Sequence, residues 1–386
     1  MAINIPELPL EEFEIPEQAE PEVKDEAGGS TTYAFLGSGQ AGGRIAEAFY
    51  GLDYRKIICV NTAEADLNTL NVPNEQKIHL DIGEQGAGKN PEKGENAAQK
   101  HQAEIYNKMT KVFGEDIDRI IVCAGLGGGT GGGSVLVLLD LARKYLAYIG
   151  CPDPKSHAGA IVTLPTAGEA SSPKVAENAT FAATKLSEVA KKGEISPLIF
   201  IDNDKIKRLY PRLTVKAFWP TVNQTIAGLF HTFNVITTQD SEYTTFDATD
   251  YNSLMSAGGC AIMGLTTVKN FESETSVSKA LKSNLSRTLL ADGFDLSTAK
   301  GAACVVIGGA SLFEEVEGLQ TAIDYGFDTI AQLTGNSTVH RGIYEADHDK
   351  LVAYTLITGL AAPKDRIKKI KSMQANKSKS SFYKKS

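Results

Sequence analysis

The sequence predicts an α/β fold in which a mostly parallel sheet, covered by helices on both faces, is joined by a long central helix to a second, smaller α/β domain. Three observations predict it. Short apolar runs, too brief for helices, recur at 33–36, 56–60, 119–124, 159–164 and 198–201, with helix-like segments between them; this is the spacing of βαβ units. A sustained helical pattern then runs over 221–233, and from Met263 onward β-rich runs such as 304–307 and 351–357 alternate with helices. The length of 386 residues agrees, because one hydrophobic core rarely serves so long a chain.

Residues 1–30 hold nine acids against Lys24 alone, a charge of −8, and include Pro6, Pro9, Pro16 and Pro21. Such a segment lacks the apolar residues for a core and reads as a flexible acidic extension. Residues 31–220 carry the first set of strands, beginning with a strand, glycine turn and helix over 33–50. Residues 221–240 are the connecting helix and its exit, and 241–362 the second domain. Residues 363–386 carry nine bases against Asp365, a charge of +8. That tail reads either as a solvated chain end or as a hook for a polyanion or partner, which gains affinity by releasing counterions. No internal repeat is evident.

Composition excludes several classes. With 42% hydrophobic and 22% charged residues the chain is neither disordered nor membrane-spanning, since its longest apolar stretch, over 135–146, contains Asp140, Arg143 and Lys144. The acidic start does not resemble an export signal, so a cytosolic location is expected. Five cysteines, none closer than twenty-eight positions to the next, and the lack of CxxC or HExxH give no support to a disulfide framework or a zinc site.

In a parallel sheet of this kind the ligand crevice lies beyond the carboxyl ends of the strands, so site residues are expected just after each one. Gly37-Ser38-Gly39-Gln40-Ala41-Gly42-Gly43 places GxGxxG between the first strand and helix. Glycines admit a phosphate close to the backbone, and the helix start offers free N–H donors. Dinucleotide enzymes share this turn, which keeps an oxidoreductase as an alternative, but the ribose-binding acid expected after the second strand is replaced by Asn61. A second loop, Gly127-Gly128-Gly129-Thr130-Gly131-Gly132-Gly133, holds six glycines in seven residues between strand and helix. Glycine at that density costs chain entropy, so the expectation is a bed of main-chain donors for a compact anion, with Thr130 adding a hydroxyl, and not packing. A third, Glu84-Gln85-Gly86-Ala87-Gly88-Lys89-Asn90-Pro91, brings one cation: Lys89 could meet a terminal phosphate or be an ordinary surface lysine. No GxxxxGK[ST] occurs, so the design is not the P-loop.

In this order the loops resemble the tubulin/FtsZ superfamily of polymerising GTPases, whose signature GGGTG(S/T)G is matched at 127–133 with Gly132 in the Ser/Thr place. The resemblance spans about residues 33–362 and implies GTP or GDP with Mg2+. It further implies that Thr163-Leu164-Pro165 is the loop after the next strand and that Asn203-Asp204-Lys205 is the guanine-reading turn, with Asn223 the second base contact. Phe218 or Trp219 is then placed to stack on the base, core packing being their other reading, and Glu169 or Lys174 to touch the sugar. The segment Thr245-Phe246-Asp247-Ala248-Thr249-Asp250 resembles the family's synergy loop, which implies that Asp247 and Asp250 complete the active site of a neighbouring copy; either acid could instead cap a helix. The second domain is then like the family's activation domain.

Glu84-Gln85-Gly86-Ala87 with Asn90-Pro91, and Glu177-Asn178-Ala179, look closest to the TubZ branch, which segregates plasmid and phage DNA. That resemblance implies a head-to-tail filament of the chain with itself. Through tail bases including Lys368, Lys369 and Lys371, it also implies a DNA-bound adaptor protein, so that DNA is engaged indirectly. An FtsZ-like division or cytoskeletal polymer is the neighbouring alternative. The sequence departs from the family at Asn61-Thr62-Ala63-Glu64-Ala65, where alanine stands in the acid and amide places. Glu64 or Asp66 is left as a shifted substitute, and the magnesium ligands are unassigned.

Overall fold

The computed structural model describes residues 27–269, 273–287 and 291–373. The acidic extension lies outside them except for its last four residues, and so does the tail beyond Met373. The described strands are β1 (Tyr33–Ser38), β2 (Ile57–Asn61), β3 (Lys77–His79), β4 (Arg119–Gly125), β5 (Ala158–Leu164), β6 (Leu198–Asp202), β7 (Cys260–Val268), β8 (Gly301–Gly308), β9 (Thr338–Glu345) and β10 (Leu351–Leu360). They form one ten-stranded sheet in the order β3-β2-β1-β4-β5-β6-β7-β10-β8-β9. The first six run parallel, and β10 is antiparallel to both β7 and β8. A single parallel pair, Leu198 with Cys260, joins the two halves. Strands β1, β2, β4, β5 and β6 are buried almost throughout, as expected where helices cover both faces and strands read as continuous apolar runs.

Two expectations need correction. The connecting helix begins at Val215, not near Thr221, and runs to Ile236 with Pro220 inside it. Proline normally breaks a helix interior by removing one ladder bond. Here Pro220 sits in the second turn, and the start is secured upstream, where Thr214 accepts a hydrogen bond from the Ala217 amide at 3.3 Å. The basic tail is not a solvated end from Pro363: Lys364–Met373 is a helix that buries Arg366, Ile367 and Ile370. Lys368, Lys369 and Lys371 are exposed on its outer side.

Among the described residues, no helix is long and apolar enough to cross a membrane.

Candidate functional site

The glycine loops meet at the carboxyl edge of the sheet. Helix Gly39–Tyr50 follows β1 and helix Thr130–Tyr148 follows β4; neither has a side-chain cap, and neither carries an acid in its first turn. Their starts are adjacent: a Cβ built on Gly39, whose φ is +67°, would lie 3.1 Å from the Gly131 amide nitrogen. Two helix ends of the same polarity side by side, without acid or cap, concentrate unsatisfied N–H groups and positive dipole ends where an anion would sit. The third loop is laced to them by Thr62, whose hydroxyl lies 2.6 Å from that of Thr130 and accepts from the Ala87 amide at 3.0 Å. From helix Pro173–Lys191, buried Asn178 donates to the carbonyls of Lys89 (2.9 Å) and Gly127 (3.4 Å). Lys89 itself is exposed, with φ +61°. Sequence reasoning gave Thr62 and Asn178 no role; their only signal was adjacency to Asn61 and to the Glu177-Asn178-Ala179 match.

The expectation that the glycine run exists for an anion and not for packing is overturned for most of it. A Cβ on Gly133 would fall 2.0 Å from the Pro91 carbonyl oxygen, and one on Gly129 2.8 Å from Ala87 and Asn90. At Gly127, Gly131 and Gly132 the nearest atoms are also 2.8 Å away. Gly133 lets helix Thr130–Tyr148 press against the backbone of helix Pro91–Lys100, and Gly131 against the end of β4, while Gly129 packs on the third loop, Gly132 on the Leu126 carbonyl and Gly127 on the Val175 side chain. Gly128 alone in the run is exposed and open, its nearest such atom being the Gly125 oxygen at 3.8 Å.

Gln40 and Asn61 converge on one carboxylate. Asp66 accepts from Gln40 Nε2 at 3.1 Å and from Asn61 Nδ2 at 3.2 Å, so the acid brought to this edge stands one turn beyond the alanine at position 63. Glu64 is exposed and Ala41 half-buried. No group of three or more His, Cys, Asp or Glu that could hold a metal occurs among the described residues. Gly86 and Gly88 lie beside this edge with positive φ.

Farther along the same edge, β6 ends at Asp202 and Asn203 follows. Asn203 is buried, and its Oδ1 has no hydrogen-bond partner. An orphaned acceptor is costly unless a ligand donates to it, and guanine carries such donors. Glu169 closes a capping box with Thr166, accepting from its amide at 2.8 Å and its hydroxyl at 2.9 Å; Lys174 is exposed. Asn223 and Trp219 are half-buried on the connecting helix, and the Phe218 and Trp219 rings meet edge to face at 5.0 Å. The other end of that helix contacts the start of β1, through Phe230 on Tyr33 (4.7 Å) and Asn234 with Thr31. At 1.5 Å per residue, Asn223 and Trp219 stand roughly 10–16 Å from Phe230 along the helix.

Asp247 and Asp250 are elsewhere. Asp247 caps helix Ala248–Met255, accepting from the Asp250 amide at 2.9 Å, and Asp250 pairs with His340 at 2.7 Å. This helix is pinned to the amino ends of β1 and β4. Tyr33 donates to the Tyr251 hydroxyl at 3.0 Å, and buried Arg119 donates to the carbonyls of Asn252 and Met255 and to the side chains of Asn252 and Ser256. Burial pushes the Tyr33 hydroxyl up to about 12, so it stays protonated and can donate. Strands of six and seven residues separate the two edges by roughly 20 Å. Within one molecule the acids cannot meet the glycine loops.

Two family models cover most of the chain. Residues 32–211 match the Tubulin/FtsZ family, GTPase domain, and residues 232–371 match the C-terminal domain of the Tubulin/FtsZ-like protein TubZ-like family. This chain belongs to the TubZ branch of the tubulin/FtsZ superfamily. The tubulin/FtsZ match takes all three glycine loops into a single domain, and the oxidoreductase alternative is thereby withdrawn. The chain is 30% identical to the Bacillus cereus tubulin-like protein TubZ over 66% of its own length and 59% of the relative's. It therefore spans about three-fifths of that relative. Its fold is that of a GTPγS-form protofilament of Bacillus thuringiensis serovar israelensis TubZ, with TM-score 0.78, 21% identity and coverage of 93% and 95% of the two chains. A type III plasmid segregation TubZ structure agrees, with TM-score 0.76, 20% identity and coverage of 95% and 96%.

Proposed function

We propose that this chain is a GTPase that assembles head to tail into dynamic filaments and hydrolyses GTP at the contact between subunits, to segregate plasmid or phage DNA in a bacterial cytosol. The observation that carries the reading is the separation just described: an uncapped anion cradle at one edge of β1 and β4, and a paired-acid helix about 20 Å away at the other. A head-to-tail contact is heterologous and open, so it sets the second edge of one copy against the first edge of the next and continues as a filament.

In this reading the first-turn amides of helices Gly39–Tyr50 and Thr130–Tyr148, with Gly128, Thr130 and Lys89, hold the phosphates. Asn203 and Asn223 read guanine, with Phe218 or Trp219 against the base and Glu169 near the sugar. Magnesium commonly takes one or two protein carboxylates plus phosphate oxygens, and Asp66, held between Gln40 and Asn61, fits that supply. Asp247 and Asp250 of the adjoining copy orient the attacking water, which supplies positioning more than covalent chemistry. Residues 31–220 serve as the GTP-binding domain and 241–362 as the activation domain. The basic end of the chain engages a DNA-bound adaptor protein.

The test is phosphate release from GTP across a dilution series, with electron microscopy of the same samples. Turnover per subunit should rise steeply above a threshold concentration at which filaments appear. Turnover per subunit that is constant from the lowest dose would defeat the proposal.

A further inference from the structure

The C-terminal helix Lys364–Met373 is tied to the proposed base-reading turn by a buried ion pair. Arg366 Nε donates to Asp202 Oδ2 at 2.6 Å and Nη2 to Oδ1 at 2.8 Å, while Nη2 also reaches the Pro165 carbonyl at 3.2 Å. Asp202 is fully buried and Arg366 nearly so. The two residues are 164 positions apart, and the pair joins the chain's last described helix to the carboxyl ends of β5 and β6.

The same carboxylate organises the turn. Asp202 Oδ1 accepts from the amides of Asp204 (3.1 Å) and Lys205 (3.4 Å), bonds that span Asn203 and fix the backbone just after it. Asp204 Oδ1 in turn accepts from the Ala167 amide at 2.8 Å, tying the turn to the Thr166–Glu169 capping box. Asn203 is thus held by a frame whose fixed point is the Arg366 guanidinium, while its own buried Oδ1 is left without a partner. A two-pronged arginine contact restrains orientation as well as distance, which a point charge cannot do.

We propose that the C-terminal helix braces the base-reading turn, and that Arg366 is a positioning residue which sets selectivity for guanine by orienting Asn203 through Asp202. This rests on the guanine-nucleotide reading above. The free Oδ1 suits a donor on the guanine edge, and a site built for such a donor discriminates strongly against an analogue that lacks it. Inosine triphosphate lacks the exocyclic amine, so a loosened Asn203 should cost GTP more than ITP.

The experiment measures equilibrium binding of GTP and ITP to the full chain below its assembly threshold, with circular dichroism as a check on folding. Wild type should prefer GTP, and Arg366→Met should lower the GTP-to-ITP affinity ratio by about ten-fold, mainly through weaker GTP binding. Arg366→Lys should lower it too, since one ammonium cannot span both oxygens. Should Arg366→Met fail to fold because Asp202 is left charged and alone, the double variant Asp202→Asn, Arg366→Met removes that charge while keeping a capping carbonyl oxygen, and it should show the same loss. A folded Arg366→Met or double variant with the wild-type ratio would overturn the role of Arg366. Wild-type protein that binds neither nucleotide would instead strike the proposed function itself.

Discussion

The separation of the two edges can be tested by mixing two inactive variants. Asp247→Ala leaves the glycine loops untouched but removes an acid from the far edge. Gly128→Val acts at the open position of the glycine run, where the added side chain meets no atom nearer than 3.8 Å from its Cβ and instead fills the open space in which the proposed function places a phosphate. Each variant alone should turn over little GTP. In an equal mixture four kinds of junction form in equal number. Only one kind sets a nucleotide held by Asp247→Ala under the intact acids of Gly128→Val, so turnover per subunit should recover to at most about a quarter of wild type. The assay is phosphate release at fixed total protein as the mixing ratio is varied, with the maximum expected at one to one. If the site were completed within one molecule, no ratio would restore activity. A mixture no more active than its components, while both still bind to wild-type filaments, would therefore refute the reasoning.

The glycine run gives a paired stability test. Gly133→Ala drives a methyl into the Pro91 carbonyl and should cost about 1–3 kcal/mol, whereas Gly128→Ala should be near neutral; chemical denaturation of both measures the difference. Burial of His231 pushes its imidazole below the ordinary 6.5, with Asp53 opposing. Above that pH both folded and unfolded chains hold it neutral. As pH falls below 6.5 the unfolded chain takes up the proton first, and stability is lost until the folded-state value is passed. His231→Gln should accordingly flatten the fall in stability between pH 7 and pH 5, by up to about 1.4 kcal/mol per pH unit, in denaturation curves run at several pH values.

The nucleotide half was legible because its signals are local. Apolar runs bounded by glycine turns mark β1, β2, β4, β5 and β6 to within a residue or two at each end, and strand-to-helix order predicts which edge carries the loops. Strand β3, three residues long and only partly buried, left no run to read. The connecting helix begins earlier than its clearest apolar pattern, because Thr214 caps it there and Pro220, in its second turn, does not break it. The C-terminal helix was missed because Ile367 and Ile370 stand alone among lysines, and what holds Arg366 lies on a strand far away in sequence.

The chain's order of residues determines by itself that strands, turns and helices alternate, and that three glycine loops and an aspartate pair exist. Those features depend on periodicity and backbone freedom within a few residues. Only the tertiary structure decided that four glycines of the run are pressed against neighbouring backbone and Gly127 against the Val175 side chain while Gly128 is open, and that Asp66 is drawn between Gln40 and Asn61. It also decided that the aspartates stand at the opposite edge from the loops. Contacts of this kind join residues tens to hundreds of positions apart, and the packing of the sheet is what brings them together or holds them apart.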